Sequence, residues 1–212
     1  MYKKSNKSDS VEKNIKGLWN HEPYVKKYKN AKYTNKNPEL GHMFNRLKTV
    51  NSLLKKNLNK NSNILELGFG AGQSSSLFLK EGYKYTGVDI SKSLVSYAKL
   101  KNKKFVKTKK ASFLVGSMDK KLKFKDNQFD AVIVIGALQY VMNIDKCINE
   151  IKRVLKKKGI FILAQTNSFA IMDIISPRKF IKFITRVIFN ENFMYSYSTT
   201  LKSIILENTK FK

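Results

Sequence analysis

Cysteine is nearly missing from this chain: among 212 residues only Cys147 occurs. That excludes a disulfide framework and a cysteine-based metal cluster, and it suits a reducing compartment. Cys147 falls in an apolar helical stripe and reads as a small core residue rather than a nucleophile. Histidine is represented only by His21 and His42, neither with a partner at metal-ligand spacing, so no metal is expected. No apolar run approaches the length of a membrane span, and residues 1–14 lack the apolar centre of a signal peptide, which gives a cytoplasmic reading. Acidic residues are also few, 15 against 42 basic ones, for a formal net charge of +27. The basic side chains are almost all lysine; arginine is confined to Arg46, Arg153, Arg178 and Arg186. Abundant Lys and Asn beside scarce Ala and Pro is the bias an AT-rich coding sequence imposes. The shortage of arginine argues against a dedicated nucleic-acid reader, although the field attracts anionic partners whatever its origin.

What is present is a globular chain whose hydrophobic content of 42% supports one domain with a sizeable core. Its most informative stretch is Ile64-Leu65-Glu66-Leu67-Gly68-Phe69-Gly70-Ala71-Gly72. An apolar strand ends in an acid and runs into alternating glycines, whose missing Cβ atoms let a ligand approach closely. Gln73 to Lys80 reads as a helix that Gly82 ends, so the glycines occupy a strand-to-helix turn beneath exposed N–H groups. A dinucleotide fingerprint requires a glycine at the position of Gln73, and a P-loop requires Gly-Lys-Ser/Thr after its glycines. Neither fits, which disfavours a pyrophosphate ligand.

The remaining E-x-G-x-G-x-G pattern resembles the first motif of the S-adenosylmethionine-dependent methyltransferases with a Rossmann-like fold. The resemblance implies that Gly68, Gly70 and Gly72 form the cofactor turn and that Glu66 faces the cofactor's positive methionine end. Tyr83 to Val88 reads as a second strand with Asp89 at its carboxyl end, about 20 residues past the first glycine, where a carboxylate accepts from both ribose hydroxyls. Ser91 caps a helix through Leu94, Val95, Ala98 and Leu100. Phe113-Leu114-Val115 gives a third strand, then Gly116-Ser117-Met118-Asp119. Relatives often carry an acid for the adenine amino group where Ser117 stands. Backbone near Met118, packing on Ile90, and Asp119 are the alternatives.

Lys123 to Val132 resembles the family's "LPFPDNSFDLV" segment, and Ala131 to Ile135 reads as a central strand buried on both faces. Gly136 to Val141 follows it on the acceptor side, with Leu138-Gln139-Tyr140 where many relatives have a histidine. Gln139 or Tyr140 is placed to orient an acceptor, with packing the commoner role. Asp145 is expected to cap a helix that Gly159 ends, with Lys156, Lys157 and Lys158 at its negative end, before a fifth strand from Ile160 to Ala164. This stretch resembles the family's "RVLKPGG" segment. The order of motifs implies an α/β fold with a doubly wound, mainly parallel sheet and helices on both faces, lacking the last two strands.

The division expected is a disordered basic tail over 1–14, a helical cover over 15–60, a cofactor-binding core over 61–167, and lid helices over 168–212 in an apparently truncated fold. Trp19, Tyr24 and Tyr28 are candidates for the cover of the acceptor pocket, and Gly41 to Leu58 has helical spacing. Pro177 to Phe189 reads as a basic amphipathic helix, a lid or a peripheral membrane contact. Thr199 or Thr200 is expected to cap a helix through Leu201, Ile204, Ile205 and Leu206, and Lys210-Phe211-Lys212 resembles the start of a sixth strand. The fifth strand would then be an apolar edge prone to association. The function implied is methyl transfer from S-adenosylmethionine to a small-molecule or lipid-like acceptor. The alternatives are an RNA or protein acceptor, and a cofactor-binding protein without catalysis. A catalytic residue is not assigned.

Overall fold

The apolar runs of the sequence become strands buried on both faces because helices cover each side of the sheet. A computed structural model describes residues 5–30, 41–164 and 204–207; for 5–10, 41–42 and 204–207 it gives the backbone alone. Five strands run parallel: β1 (Asn63–Leu67), β2 (Lys84–Asp89), β3 (Ala111–Val115), β4 (Phe129–Ile135) and β5 (Leu155–Ala164). The sheet order is β3-β2-β1-β4-β5-β6, where β6 (Ile204–Glu207) pairs antiparallel with β5. This is the expected doubly wound sheet with one correction: it does not end at the fifth strand, because β6 adds a sixth. It reverses direction of winding between β1 and β4, where such folds open a ligand crevice at the carboxyl ends of the strands.

Side-chain alternation splits the core into two layers. Ile64, Tyr85, Phe113, Ile133 and Ile162 face Val50 and Leu54 of α3 (Gly41–Asn57), Phe78 and Leu79 of α4 (Gln73–Lys80), and Val95 and Ala98 of α5 (Lys92–Lys101). Leu65, Leu67, Val132, Val134 and Phe161 face Cys147, Ile151 and Val154 of α7 (Ile144–Val154). Cys147 is buried, and desolvation pushes its thiol up to about 12, which leaves it inert as the sequence suggested. Ser91 caps α5 by accepting from the Leu94 N–H. Between α5 and β3 lies the short α6 (Lys103–Lys107).

Five sequence expectations are corrected. Asn143 rather than Asp145 caps α7, its side chain accepting from the Lys146 N–H. α7 stops at Val154 instead of Gly159, because Leu155 is fully buried opposite Phe129 and Lys156 reaches Asp130 Oδ1 at 2.7 Å; Lys156, Lys157 and Lys158 therefore belong to β5. Ile204, Ile205 and Leu206 lie in a strand and not in a helix. Their pairing with Ile162, Leu163 and Phe161 covers the edge of β5, which removes the basis for association through it. At the other end, α1 (Ser5–Asn20) begins inside the stretch read as a disordered tail and is followed by α2 (Glu22–Asn30). The expected helix over 177–189, the caps Thr199 and Thr200, and Lys210-Phe211-Lys212 lie outside the described residues. Among the described residues no helix is long and apolar enough to cross a membrane.

Arg153 near the end of α7 ties the loop before β4 to that helix. Its guanidinium donates to Glu150, to Asp126 and to the carbonyls of Leu122 and Phe124. Lysine cannot reproduce that fork. Arg153→Lys is expected to lower stability by about 1–3 kcal/mol, read as a lower denaturant midpoint at unchanged slope.

Candidate active site

The carboxyl ends of β1, β2, β3 and β4 open into a cavity of about 580 Å³, roofed by α1, α2 and α3. Of the residues predicted for the site, Glu66, Gly68, Gly70, Asp89, Ile90, Ser117, Met118 and Gly136 all line it. Gly72 does not. It stands behind the turn with φ +71°, where a Cβ would come within 2.9 Å of Ser75 Oγ and 3.1 Å of Ala98 Cβ, so it lets α4 pack against α5. At Gly70, with φ +60°, a Cβ would meet nothing within 4 Å.

Asp89 braces the glycine turn. Its Oδ2 accepts from the Gly70 N–H at 2.8 Å and its Oδ1 from the Ser91 N–H at 2.9 Å. Each carboxylate oxygen keeps a further lone pair for a ligand. Burial pushes this carboxyl up to about 6, against the pull of the backbone donors at Ser91, Gly70 and Ile90.

Glu66 is 2% exposed. Its Oε2 accepts from the Ser74 hydroxyl at 2.6 Å and the Tyr85 hydroxyl at 2.7 Å. Burial dominates and pushes the carboxyl up to about 7; the two hydroxyls pull it down and the charge of Asp89 adds to the rise. Tyr85 can lean over Glu66 because Gly87, the register partner of Glu66, has no side chain: a Cβ there would lie 2.9 Å from Tyr85 Cε1.

On the side of β3, Ser117 Oγ accepts from the Asp119 N–H, and Asp119 Oδ1 accepts from the N–H groups of Met142 and Asn143 at 2.8 and 3.0 Å. One oxygen of Asp119 is thus spent on tying this turn to the loop before α7. Gln139 and Tyr140, in a 3-10 turn after β4, both line the cavity. Trp19 and Tyr28 join them there, with Trp19 packed edge-on against Tyr28 at 5.2 Å and Tyr140 at 5.3 Å. Tyr24 meets Trp19 edge-on at 6.1 Å and does not line the cavity. His21 is exposed and also lies outside the lining, and the side chain of His42 is outside the described residues.

Glu12, Lys27, Arg46, Ser74 and Gln73 also line the cavity and were missed in the sequence. Polar residues on α1, α2 and α3 carry no motif spacing, since nothing local links them to the glycine turn. Tyr85 had a usable signal: Tyr85-x-Gly87-x-Asp89 places all three on the face of β2 that Glu66 shares in β1. Among the described residues, no group of acids, histidines and cysteine is arranged to hold a metal ion.

Residues 65–163, from the last half of β1 to the end of β5, match the methyltransferase domain family. The chain carries a methyltransferase domain. Its fold is the Rossmann-like one, and the cofactor this domain implies is S-adenosylmethionine. An S-adenosylmethionine-dependent methyltransferase from Aquifex aeolicus superposes with a TM-score of 0.56 over 78% of this chain and 86% of its own, at 20% identity, a likeness of fold. The sterol 4-C-methyltransferase strm-1 of Caenorhabditis elegans is 34% identical over 54% of this chain and 35% of its own length. The 18S rRNA (guanine-N(7))-methyltransferase bud23 of Schizosaccharomyces pombe is 31% identical over 52% of this chain and 40% of its own. The chain thus spans less than half the length of these curated relatives. The cavity of the methyltransferase domain fits such a cofactor on two counts: open space at Gly70 where any side chain would intrude, and acidic groups rather than a basic nest along the carboxyl ends of β1 and β2.

Proposed function

We propose that this protein transfers a methyl group from S-adenosylmethionine to a small-molecule or lipid-like acceptor. The observation that carries the acceptor class is the wall given by α1 to α3 and the turn after β4, where Ile15, Trp19, Met43, Leu47, Tyr140 and Val141 present a mostly apolar surface. Glu66, Gly68, Gly70, Asp89, Ile90, Ser117, Met118 and Gly136 are proposed to hold the cofactor, Asp89 at the ribose and Glu66 at the methionine end. When bound, this cofactor supplies an electrophilic methyl group on a sulfonium. The chain's own contribution is to bind, orient and exclude water. Trp19, Tyr28 and Tyr140 close one side against solvent. The Tyr28 hydroxyl is a poor base, its pKa raised first by burial and then by Tyr140 and Tyr24. Gln139 donates and accepts but does not take a proton. The acceptor atom is therefore expected to arrive already nucleophilic. The strm-1 relative, by its name, methylates a sterol, in line with this reading; the rRNA enzyme and the net charge of +27 favour RNA instead.

S-adenosylmethionine and its demethylated product are expected to raise the melting temperature, and dinucleotides to leave it unchanged. Incubating the protein with methyl-labelled cofactor and cell extract separates the acceptors: label in the lipid or small-molecule fraction supports the proposal, label in RNA or protein replaces it, and cofactor binding without any transfer marks a non-catalytic protein.

A further inference from the structure

The buried carboxyl of Glu66 has two unequal oxygens. A hydroxyl has one proton to donate, and both the Ser74 and the Tyr85 hydroxyls spend theirs on Oε2, at 2.6 and 2.7 Å. Among the described residues Oε1 has no hydrogen-bond partner, and Glu66 lines the cavity. With Oε2 occupied by two donors, a proton on this carboxyl sits on Oε1. A cationic ligand group that reaches Oε1 needs it ionised.

We propose that Tyr85 and Ser74 are positioning residues that make Glu66 a proton-releasing acceptor: on arrival of the cofactor's cationic methionine end, the Oε1–H bond breaks, the proton passes to solvent, and the carboxylate keeps the electron pair and accepts from the ligand. The inference rests on the cofactor assignment above. The groups that face Glu66 bear it out. β2 brings Tyr85 and the repelling carboxylate of Asp89, α4 brings Ser74, and β4 offers only Ile133 opposite in register. Arg46 of α3, Lys27 of α2, Glu12 of α1 and Asp119 stand elsewhere on the same cavity. Burial outweighs the two hydroxyls and pushes the carboxyl up to about 7, so at neutral pH only part of the apo protein carries this proton. Tyr85 is then a tuning device: its hydroxyl favours the ionised form, and its removal makes the proton harder to lose.

Calorimetric titration of S-adenosylmethionine at pH 7, in buffers of different ionisation enthalpy, counts the protons released. About half a proton per site is expected from the native protein at that pH, given a carboxyl that titrates at about 7. Tyr85→Phe and Ser74→Ala should each raise the count towards one and move the pH at which affinity levels off upward. Glu66→Gln should remove most of the release and leave only the small share of Asp89, which titrates lower, at about 6. Binding whose heat does not depend on the buffer, or identical proton counts in the native protein and in both hydroxyl variants, would overturn the coupling while leaving the cofactor assignment standing. Absence of binding at every pH from 6 to 9 would instead overturn the assignment and the coupling with it.

Discussion

Asp89→Ala is expected to weaken S-adenosylmethionine binding roughly 10- to 150-fold, the equivalent of about 1.5–3 kcal/mol for losing a charged hydrogen-bond acceptor. Two losses combine. The ligand loses the carboxylate lone pairs left over from the Gly70 and Ser91 N–H groups, and the turn itself loses the acceptor that holds Gly70 in place at 2.8 Å. Asp89→Asn is nearly as damaging, because its amide nitrogen replaces one of the two acceptor oxygens and turns a donor towards either the Gly70 or the Ser91 N–H. The pH dependence has two opposite parts. Burial raises this carboxyl to about 6, so the folded protein holds the proton more tightly than the unfolded chain. The stability contributed by this group therefore falls as pH rises from the ordinary carboxylate range through about 6, while cofactor affinity, which needs the ionised acceptor, rises over the same interval. Calorimetric affinities for the native protein and both variants at pH 5 and pH 8 check this. Equal affinity in Asp89→Ala would sink the ribose assignment.

The residues that place this acceptor were legible in the sequence because the signals are local. A short apolar run, an acid near its end, glycines at alternate positions and a serine cap each depend on a few neighbouring residues, and β1, α4, β2 and α5 lie where those signals place them. The boundary of α7 and β5 was not legible. Local composition makes Lys156, Lys157 and Lys158 a favourable helix end, but tertiary pairing of Leu155 with Phe129 and of Lys156 with Asp130 extends the strand instead. β6 was lost for the same reason: Leu201, Ile204, Ile205 and Leu206 satisfy a helical spacing, and only the unpaired edge of β5 makes Ile204–Glu207 a strand. The roof of the site is the third case. Glu12, Lys27 and Arg46 reach the cavity through the packing of helices that precede the glycine turn in sequence, and no spacing rule connects them to it.

Gly68 and Gly70 look alike in sequence, yet their replacements by valine are expected to fail in different ways. Both glycines have positive φ, +74° and +60°, so any side chain there costs about 1–2 kcal/mol in backbone strain. At Gly68 an added Cβ overlaps the Cβ of Ala137 and lies 3.7 Å from Met118 Cε. Ala137 belongs to the chain leaving β4 and is 8% exposed, so relief requires moving the strand end. Overpacking of this kind adds about 1–3 kcal/mol, for a total of about 2–5, a large part of the margin of a small domain. Gly68→Val should therefore unfold at markedly lower denaturant and lose cofactor binding along with stability. At Gly70 a Cβ meets nothing within 4 Å, since it projects into the open space of the cavity. Gly70→Val should keep a denaturant midpoint within the strain cost alone and still lose measurable affinity for S-adenosylmethionine, because the branched side chain occupies the path of the ligand. Denaturant midpoints and calorimetric affinities measured on the two variants side by side decide the matter. If Gly70→Val binds the cofactor as the native protein does, the ligand does not approach this turn, and the cavity at the ends of β1 and β2 loses its assignment.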